Sequence, residues 1–303
     1  MTVTLAAADL DGVVVPLLTP LEFDGSVDLD GVGPLVEAVL AGGVAGIVAL
    51  GTTGEFADLD TEERAAVLEA TVAAVAGRVP VIAGVGGIGT TEACAHARRA
   101  AAAGADAVLA LPPLYLKLGE DPLLSHFAAI AEAADLPLLL YDFPALSGTA
   151  LSPRLLARAA AELPLAIGVK QTGGDLGVVH ATLAGLRGEE GFAVVSGSAG
   201  MLLPALLAGG TGGILAVANV DPALPVALHA AFRAGDLQRA AALHREVLRL
   251  SAATSIGSPG TLGLKAVARA AGMPVRAVVR TPPVDAGEVL RRAEDLASAG
   301  WRT

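Results

Sequence analysis

Lysine is scarce in this chain. Of 20 basic side chains in 303 residues, only Lys117, Lys170 and Lys265 are lysines, and the rest are arginines. Tyrosine occurs only at Tyr115 and Tyr141, and aromatics make up 3% of the residues. The single cysteine, Cys94, can neither form an internal disulfide nor supply half of a CxxC site, and it fits a reducing compartment. Basic charge is short as well. A net charge of −11 argues against a nucleic-acid groove or an anionic membrane surface as the main partner, because both require clustered Lys and Arg. The N-terminus, MTVTLAAADLDG, has no basic segment and carries acids early, so it is not read as a signal peptide, and a cytoplasmic protein is expected.

What is present is aliphatic. Hydrophobic residues reach 53% and glycine 37 positions, enough for a large core of small side chains and incompatible with disorder. The mean hydropathy of +0.63 requires that a membrane span be tested. Gly191 to Val220 carries no formal charge and is long enough to cross a bilayer. However, Gly209-Gly210-Thr211-Gly212-Gly213 cuts it in two, and Ser196, Ser198 and Asn219 add polar groups, so it reads as strand, helix, strand.

Apolar runs bounded by Gly and Pro alternate with segments of helical period along most of the chain. The strand candidates are 13–18, 46–51, 79–86, 107–111, 136–143, 166–171, 192–198 and 212–219. Between them lie helices such as TEERAAVLEATVAAVAG, with Thr61 as the expected N-cap, and TEACAHARRAAAAG, closing on Gly104. Runs that are apolar throughout suit strands covered on both faces. Eight such units predict an α/β fold, a (β/α)8 TIM barrel over residues 1–222. Residues 223–303 read as a C-terminal helical extension, and no linker separates the two parts, so one compact unit is expected.

The active site of such a barrel lies at the C-terminal ends of its strands. Lys170 ends the sixth run. Loss of water there favours the neutral amine, which can attack a ketone to form a Schiff base, although a lysine paired with a carboxylate would occupy the same position. Lys117 and Lys265 sit in polar loop and helix surroundings and read as surface lysines. Tyr141 ends the fifth run and Tyr115 follows the fourth. A phenol there can move protons, or can simply bridge an apolar wall and water. After the second run, Gly51-Thr52-Thr53-Gly54-Glu55 offers N–H groups and hydroxyls to a small anion such as a carboxylate, or serves as a cap. Ser196-Gly197-Ser198-Ala199-Gly200 gives a second small-residue turn. His96, His126, His180, His229 and His244 are scattered without metal-ligand spacing and read as helix-surface residues, so no metal site is expected. GVGGIG at 84–89 lacks the register of a dinucleotide fingerprint and reads as a turn.

Taken in order, GTTGE after the second strand, Pro-x-Tyr after the fourth, Tyr-x-x-Pro ending the fifth, Gly-x-Lys ending the sixth, the Gly-Ser stretch after the seventh, and GGILAVANV resemble the dihydrodipicolinate synthase/N-acetylneuraminate lyase family of Schiff-base aldolases. The resemblance covers nearly the whole chain. It implies Lys170 as the imine-forming lysine, Tyr141 as general acid/base, and Thr52 and Thr53, with Gly51, as binders of a 2-oxo acid carboxylate. Gly197 and Val217 would line a pyruvate pocket, and Tyr115 would relay protons across a subunit contact. The implied assembly is a homotetramer built as a dimer of dimers, without metal or organic cofactor.

Departures from the family pattern bear on the substrate. Where synthases of this family carry an Arg two residues after Tyr-x-x-Pro, this chain has Leu146, which cannot pair with an acceptor carboxylate. A lost charge-assisted bond of that kind costs roughly 2–3 kcal/mol of binding. ALSG and GVKQT look more like the sialic acid lyases, yet Ser198-Ala199-Gly200 lacks the acidic residues those enzymes place there. SGSAG and GGILAVANV resemble 4-hydroxy-2-oxoglutarate and 2-keto-3-deoxy sugar acid aldolases. Asp142 stands where Asn is common. The expected activity is C–C bond cleavage or formation with pyruvate as one partner. The alternatives are 4-hydroxy-tetrahydrodipicolinate synthase and a non-catalytic barrel that binds a 2-oxo acid.

Overall fold

The computed structural model describes residues 5–187, 189, 191–257 and 260–299. The first four residues of the N-terminal segment read above, and Gly300, on which the last helical pattern ends, lie outside them. Eight parallel strands close into a barrel in sequence order: β1 (Val13–Pro16), β2 (Gly46–Ala49), β3 (Val81–Gly84), β4 (Ala107–Ala110), β5 (Leu138–Asp142), β6 (Ala166–Gln171), β7 (Ala193–Ser196) and β8 (Gly212–Ile214). Every strand residue is buried, as the uniformly apolar runs require of a sheet covered by helices outside and filled by side chains inside. The outer layer comprises α1 (Val32–Leu40), α2 (Thr61–Val75), α3 (Thr90–Ala102), α4 (Glu120–Ala134), the single turn α5 (Pro144–Ser147), α6 (Pro153–Glu162), α7 (Leu176–Gly185), α8 (Leu202–Ala208) and α9 (Ala223–Arg233).

Beyond the barrel come α10 (Leu237–Thr254), α11 (Gly260–Ala270) and α12 (Ala286–Ala299). Helix α10 packs on α9, and α10 and α11 both reach the short 3-10 turn that follows β8. The extension therefore roofs one side of the barrel mouth. The uncharged stretch 191–220 forms β7, α8 and β8, and no described helix is long and apolar enough to cross a membrane.

Most strands are shorter at their ends than the apolar runs that predict them, and two of the differing boundaries have a clear local reason. Asp60, not Thr61, caps α2. Its carboxylate accepts from Glu62 and Glu63 N–H at 2.9 Å, and Glu63 Oε2 accepts from Asp60 N–H at 3.0 Å, a reciprocal box that leaves Thr61 inside the first turn. The eighth strand stops at Ile214, where the apolar pattern had extended it to residue 219, because Ala216–Asn219 curl into a 3-10 turn. There the fully buried Asn219 does the work of a ladder. It accepts from Leu18 N–H at 3.1 Å and donates to the carbonyls of Pro16 at 2.8 Å and Ala216 at 3.0 Å, closing the end of β1 against β8.

Candidate active site

Register brings the two rarest residue types together. Tyr141 and Lys170 are paired positions of β5 and β6, and their side chains sit at one level inside the barrel. The Lys170 ammonium nitrogen lies 4.1 Å from the centroid of the Tyr141 ring, and Lys170 is only 4% exposed. Phe143 stacks at a tilt on Tyr141, with ring centroids 5.9 Å apart, and fixes the phenol from the open side. The first residue after β7 provides the space. A Cβ at Gly197 would stand 1.9 Å from Thr172 Oγ1 and 3.1 Å from Lys170 Cε, so only a residue without a side chain leaves both groups their positions.

Beside Gly197 and Thr172, which border Lys170, the barrel mouth holds a cavity of about 460 Å³; Lys170 and Tyr141 themselves are not among the residues that line it. Thr52 and Thr53 face it from the loop after β2, Phe143 and Thr172 from the ends of β5 and β6, and Gly197 and Ser198 from the loop after β7. Val217 contributes from the turn after β8. The roof comes from the extension: Ser251, Thr254 and Ser255 at the end of α10, and Thr261 and Leu264 on α11. Among the described residues, the lining carries many hydroxyls and no formally charged side chain. Thr172 Oγ1 is buried without a hydrogen-bond partner, so it is available to a bound molecule.

The Thr52–Thr53 loop is held in an uncommon shape. Leu50 and Glu55, on either side of it, both take left-handed backbone angles, φ +58° and +55°. Gly54 and Glu55 N–H close a tight turn on the carbonyls of Gly51 and Thr52, at 3.0 and 3.1 Å, and Thr19 donates to Gly54 O at 2.7 Å. Thr52 and Thr53, in the middle of this turn, both line the cavity, with Gly51 buried behind them. The neighbouring β3 end is braced by Arg64, whose guanidinium donates to Gly84 O and Gly86 O at 3.3 and 3.2 Å and is pulled down to about 10 by burial.

Tyr115 is not part of this cluster. It lies on the loop after β4, is 80% exposed, and does not line the cavity. Leu146, on α5, also lies outside the lining, at 58% exposure. Asp142, the unusual residue, turns away from the barrel interior. Its buried carboxylate accepts from Leu151 N–H at 3.0 Å, and burial pushes its pKa up.

Several residues read as ordinary from sequence are not. Lys265 is fully buried, and its ammonium meets Glu55 at 2.5 Å and donates to Val278 O at 2.7 Å. The expectation of a surface lysine is wrong because α11 is wedged between the loop after β2 and the segment following α11. Lys117 is exposed, as expected, and ties the Tyr115 loop to α5 through Ser147 O at 2.8 Å. His96 and His126 are buried, not on helix surfaces, and burial lowers both. His126 bridges Thr90 Oγ1 and Leu111 O, at 2.8 and 3.1 Å, because α4 packs tightly against the end of β4. Among the described residues, no three His, Cys, Asp or Glu side chains gather as metal ligands.

Residues 9–295 match the model of the dihydrodipicolinate synthetase family. A 4-hydroxy-tetrahydrodipicolinate synthase of Methanoculleus marisnigri is 40% identical over 88% of this chain and 92% of its own length. The Escherichia coli K12 protein named "Probable 2-dehydro-3-deoxy-D-pentonate aldolase YjhH" is 34% identical over 91% of this chain and 92% of its own length. Among solved structures, YagE, a prophage protein of the dihydrodipicolinic acid synthase family from E. coli K12 in complex with pyruvate, superposes with a TM-score of 0.91. It is 32% identical and covers 95% of this chain and 98% of its own. Relatives of this kind are named as synthases and aldolases, which are lyases. With match, fold and relatives agreeing along nearly its full length, this chain belongs to the dihydrodipicolinate synthetase family of lyases.

Proposed function

We propose that this enzyme cleaves, or forms in reverse, a 2-keto-3-deoxy sugar acid or related 4-hydroxy-2-oxo acid through an imine on Lys170, with pyruvate as one product. The observation that carries the choice of substrate is the cavity wall: hydroxyls of Thr172, Ser198, Ser251, Thr254, Ser255 and Thr261, with no charged side chain among the described lining residues. Such a wall suits a hydroxylated chain, and it offers no cation to a second carboxylate. The pyruvate complex of YagE supports pyruvate as the common partner.

In the proposed reaction the substrate carboxylate sits on the Thr52–Thr53 loop, which places C2 over Lys170. The neutral amine adds to C2. The carbinolamine then loses water, with Tyr141 as proton carrier, to leave a protonated imine. The C4 hydroxyl gives its proton to Tyr141, left as the phenolate by the loss of water, as the C3–C4 bond breaks. The bonding pair moves into C3–C2 while the C2–N π pair settles on nitrogen, so an aldehyde leaves and an enamine remains. Protonation at C3 and hydrolysis then return Lys170 and pyruvate. The imine nitrogen is the electron sink, so the scheme calls for no metal or organic cofactor. The exposure of Tyr115 supports a homotetramer in which its phenol serves a neighbouring subunit's site.

The test is borohydride reduction after incubation with pyruvate, read by intact mass. An adduct that disappears in Lys170→Ala is expected. No adduct, or one that survives the substitution, would overturn the mechanism. A second reading, 4-hydroxy-tetrahydrodipicolinate synthase, is favoured by the 40% identical relative of that name. Efficient condensation of pyruvate with aspartate semialdehyde, without aldehyde release from sugar acids, would establish it in place of the first.

A further inference from the structure

The sequence places Glu55 at the end of the GTTGE turn and Lys265 some two hundred residues later, yet the fold buries them against each other. Glu55 has little other support. Its second oxygen accepts only a long bond, 3.4 Å, from Arg280 N–H, and its backbone is held at φ +55°. Lys265 has no exposure at all, and its remaining bond runs to Val278 O. A lysine so enclosed loses most of its hydration, a cost that packing alone does not explain.

The surroundings give this contact a direction. Helix α11 presents Thr261 and Leu264 to the cavity and, one residue on, Lys265 to the base of the Thr52–Thr53 loop. The segment after α11 is strapped over the same region. Arg280 donates to Gly25 O at 2.9 Å and Asp58 O at 2.7 Å and pairs with Glu63, and Thr281 donates to Asp58 at 2.7 Å. Loop and extension are thus fixed to each other at the point where the loop's backbone is least comfortable.

We infer that Lys265 is a positioning residue: by seating Glu55, it holds the Thr52–Thr53 turn in the shape that receives the substrate carboxylate, which makes the C-terminal extension part of 2-oxo acid binding. The inference rests on the carboxylate role proposed above for that loop. Lys265 touches no substrate. Its effect passes through Glu55 to the two threonines, whose hydroxyls and N–H groups lose their common aim when the turn relaxes.

The experiment compares Lys265→Met with the wild-type chain in borohydride trapping, titrating pyruvate and, separately, its methyl ester, which lacks the carboxylate. Lys265→Met is expected to raise the half-saturating pyruvate concentration by about ten-fold or more while leaving that of the ester within about two-fold. Circular dichroism reports whether the variant is folded. Should it not fold, Glu55→Gln makes the same test under milder conditions. Burial already pulls the Lys265 pKa down, so its side chain can shed the proton and leave no stranded charge. An unchanged pyruvate titration in a folded variant would overturn the inference, as would equal losses for acid and ester. Failure of the wild-type chain to trap pyruvate at all would overturn the proposed function as well, which separates the two failures.

Discussion

Replacing Gly197 by alanine tests whether the space beside Lys170 is needed for chemistry or only for packing. The added Cβ would stand 1.9 Å from Thr172 Oγ1, 2.9 Å from Thr172 Cβ and 3.1 Å from Lys170 Cε. Rotation of Thr172 can remove the first contact at little cost, because that hydroxyl has no bond to lose. It cannot remove the second, so the backbones of β6 and β7 must separate by a few tenths of an ångström, an overpacking cost of about 1–3 kcal/mol. For a chain of this length that corresponds to a fall in Tm of about 2–6 °C by calorimetry. Lys170 is displaced in the same movement. A nucleophile misplaced by about 1 Å loses on the order of 100-fold in rate, so a shift of a few tenths of an ångström is expected to slow trapping of the pyruvate adduct by several-fold. Gly84→Ala supplies the contrast. Its Cβ would lie 2.0 Å from Leu50 O, a backbone atom that no rotamer change relieves, so its stability loss is expected to exceed that of Gly197→Ala. If Gly197→Ala traps pyruvate at the wild-type rate, the argument that the residue after β7 must be bare beside the lysine is wrong.

The buried Asp142 carboxylate costs the fold stability at neutral pH, because burial raises its pKa, and Gln171 Oε1 beside it has no hydrogen-bond partner. Asp142→Asn removes the buried charge and keeps the bond from Leu151, at the loss of the one the carboxylate takes from the Gln171 side chain. It is expected to stabilise by about 1 kcal/mol at pH 7 in chemical denaturation, a gain that shrinks as pH falls through the raised carboxyl pKa and the wild-type side chain becomes neutral. His126 works in the opposite sense, since burial holds its pKa below 6.5. Its contribution is complete above that value and is lost as pH falls from 6.5 toward the lowered pKa, so His126→Gln should lose less stability than the wild-type chain over that window, and an identical pH dependence would refute the assignment. Asp60→Ala removes the cap of α2 and should lower stability by about 1 kcal/mol, whereas Thr61→Ala should change it by a few tenths at most.

How much of this was legible in the sequence depended on whether the cause of a feature was local. The barrel was, because eight short apolar runs at a regular spacing have few other ways to bury both faces, and the strand ends then place Lys170, Tyr141 and the GTT turn at one mouth. The premature end of β8 was not, because Asn219 acts on β1, far away in the chain. The same distinction separates the lysines. Lys170 lies at a strand end, and its neighbours in space, Tyr141 and Gly197, lie at the matching ends of the adjoining strands, which the order of the runs already supplies. Lys265 lies on a helix whose local pattern, GTLGLKAVARAAG, reads as half-exposed, and only the strap of residues 278–281 closes over it. The hydroxyls of the cavity roof escape notice for that reason too: Ser251, Thr254, Ser255 and Thr261 are commonplace on helices until α10 and α11 are folded back over the mouth. In this family scaffold the groups proposed for bond-making are therefore written on the strands, where motif spacing reveals them. Most of the hydroxyls that would select a substrate, and the lysine that would hold its carboxylate site in shape, come from the C-terminal helices, where only the tertiary fold reveals them. Exchange of the cavity-lining Ser251 or Thr261 should accordingly alter which aldehyde is released from a panel of 2-oxo acids while leaving borohydride trapping of pyruvate unchanged, unlike exchange of Lys265.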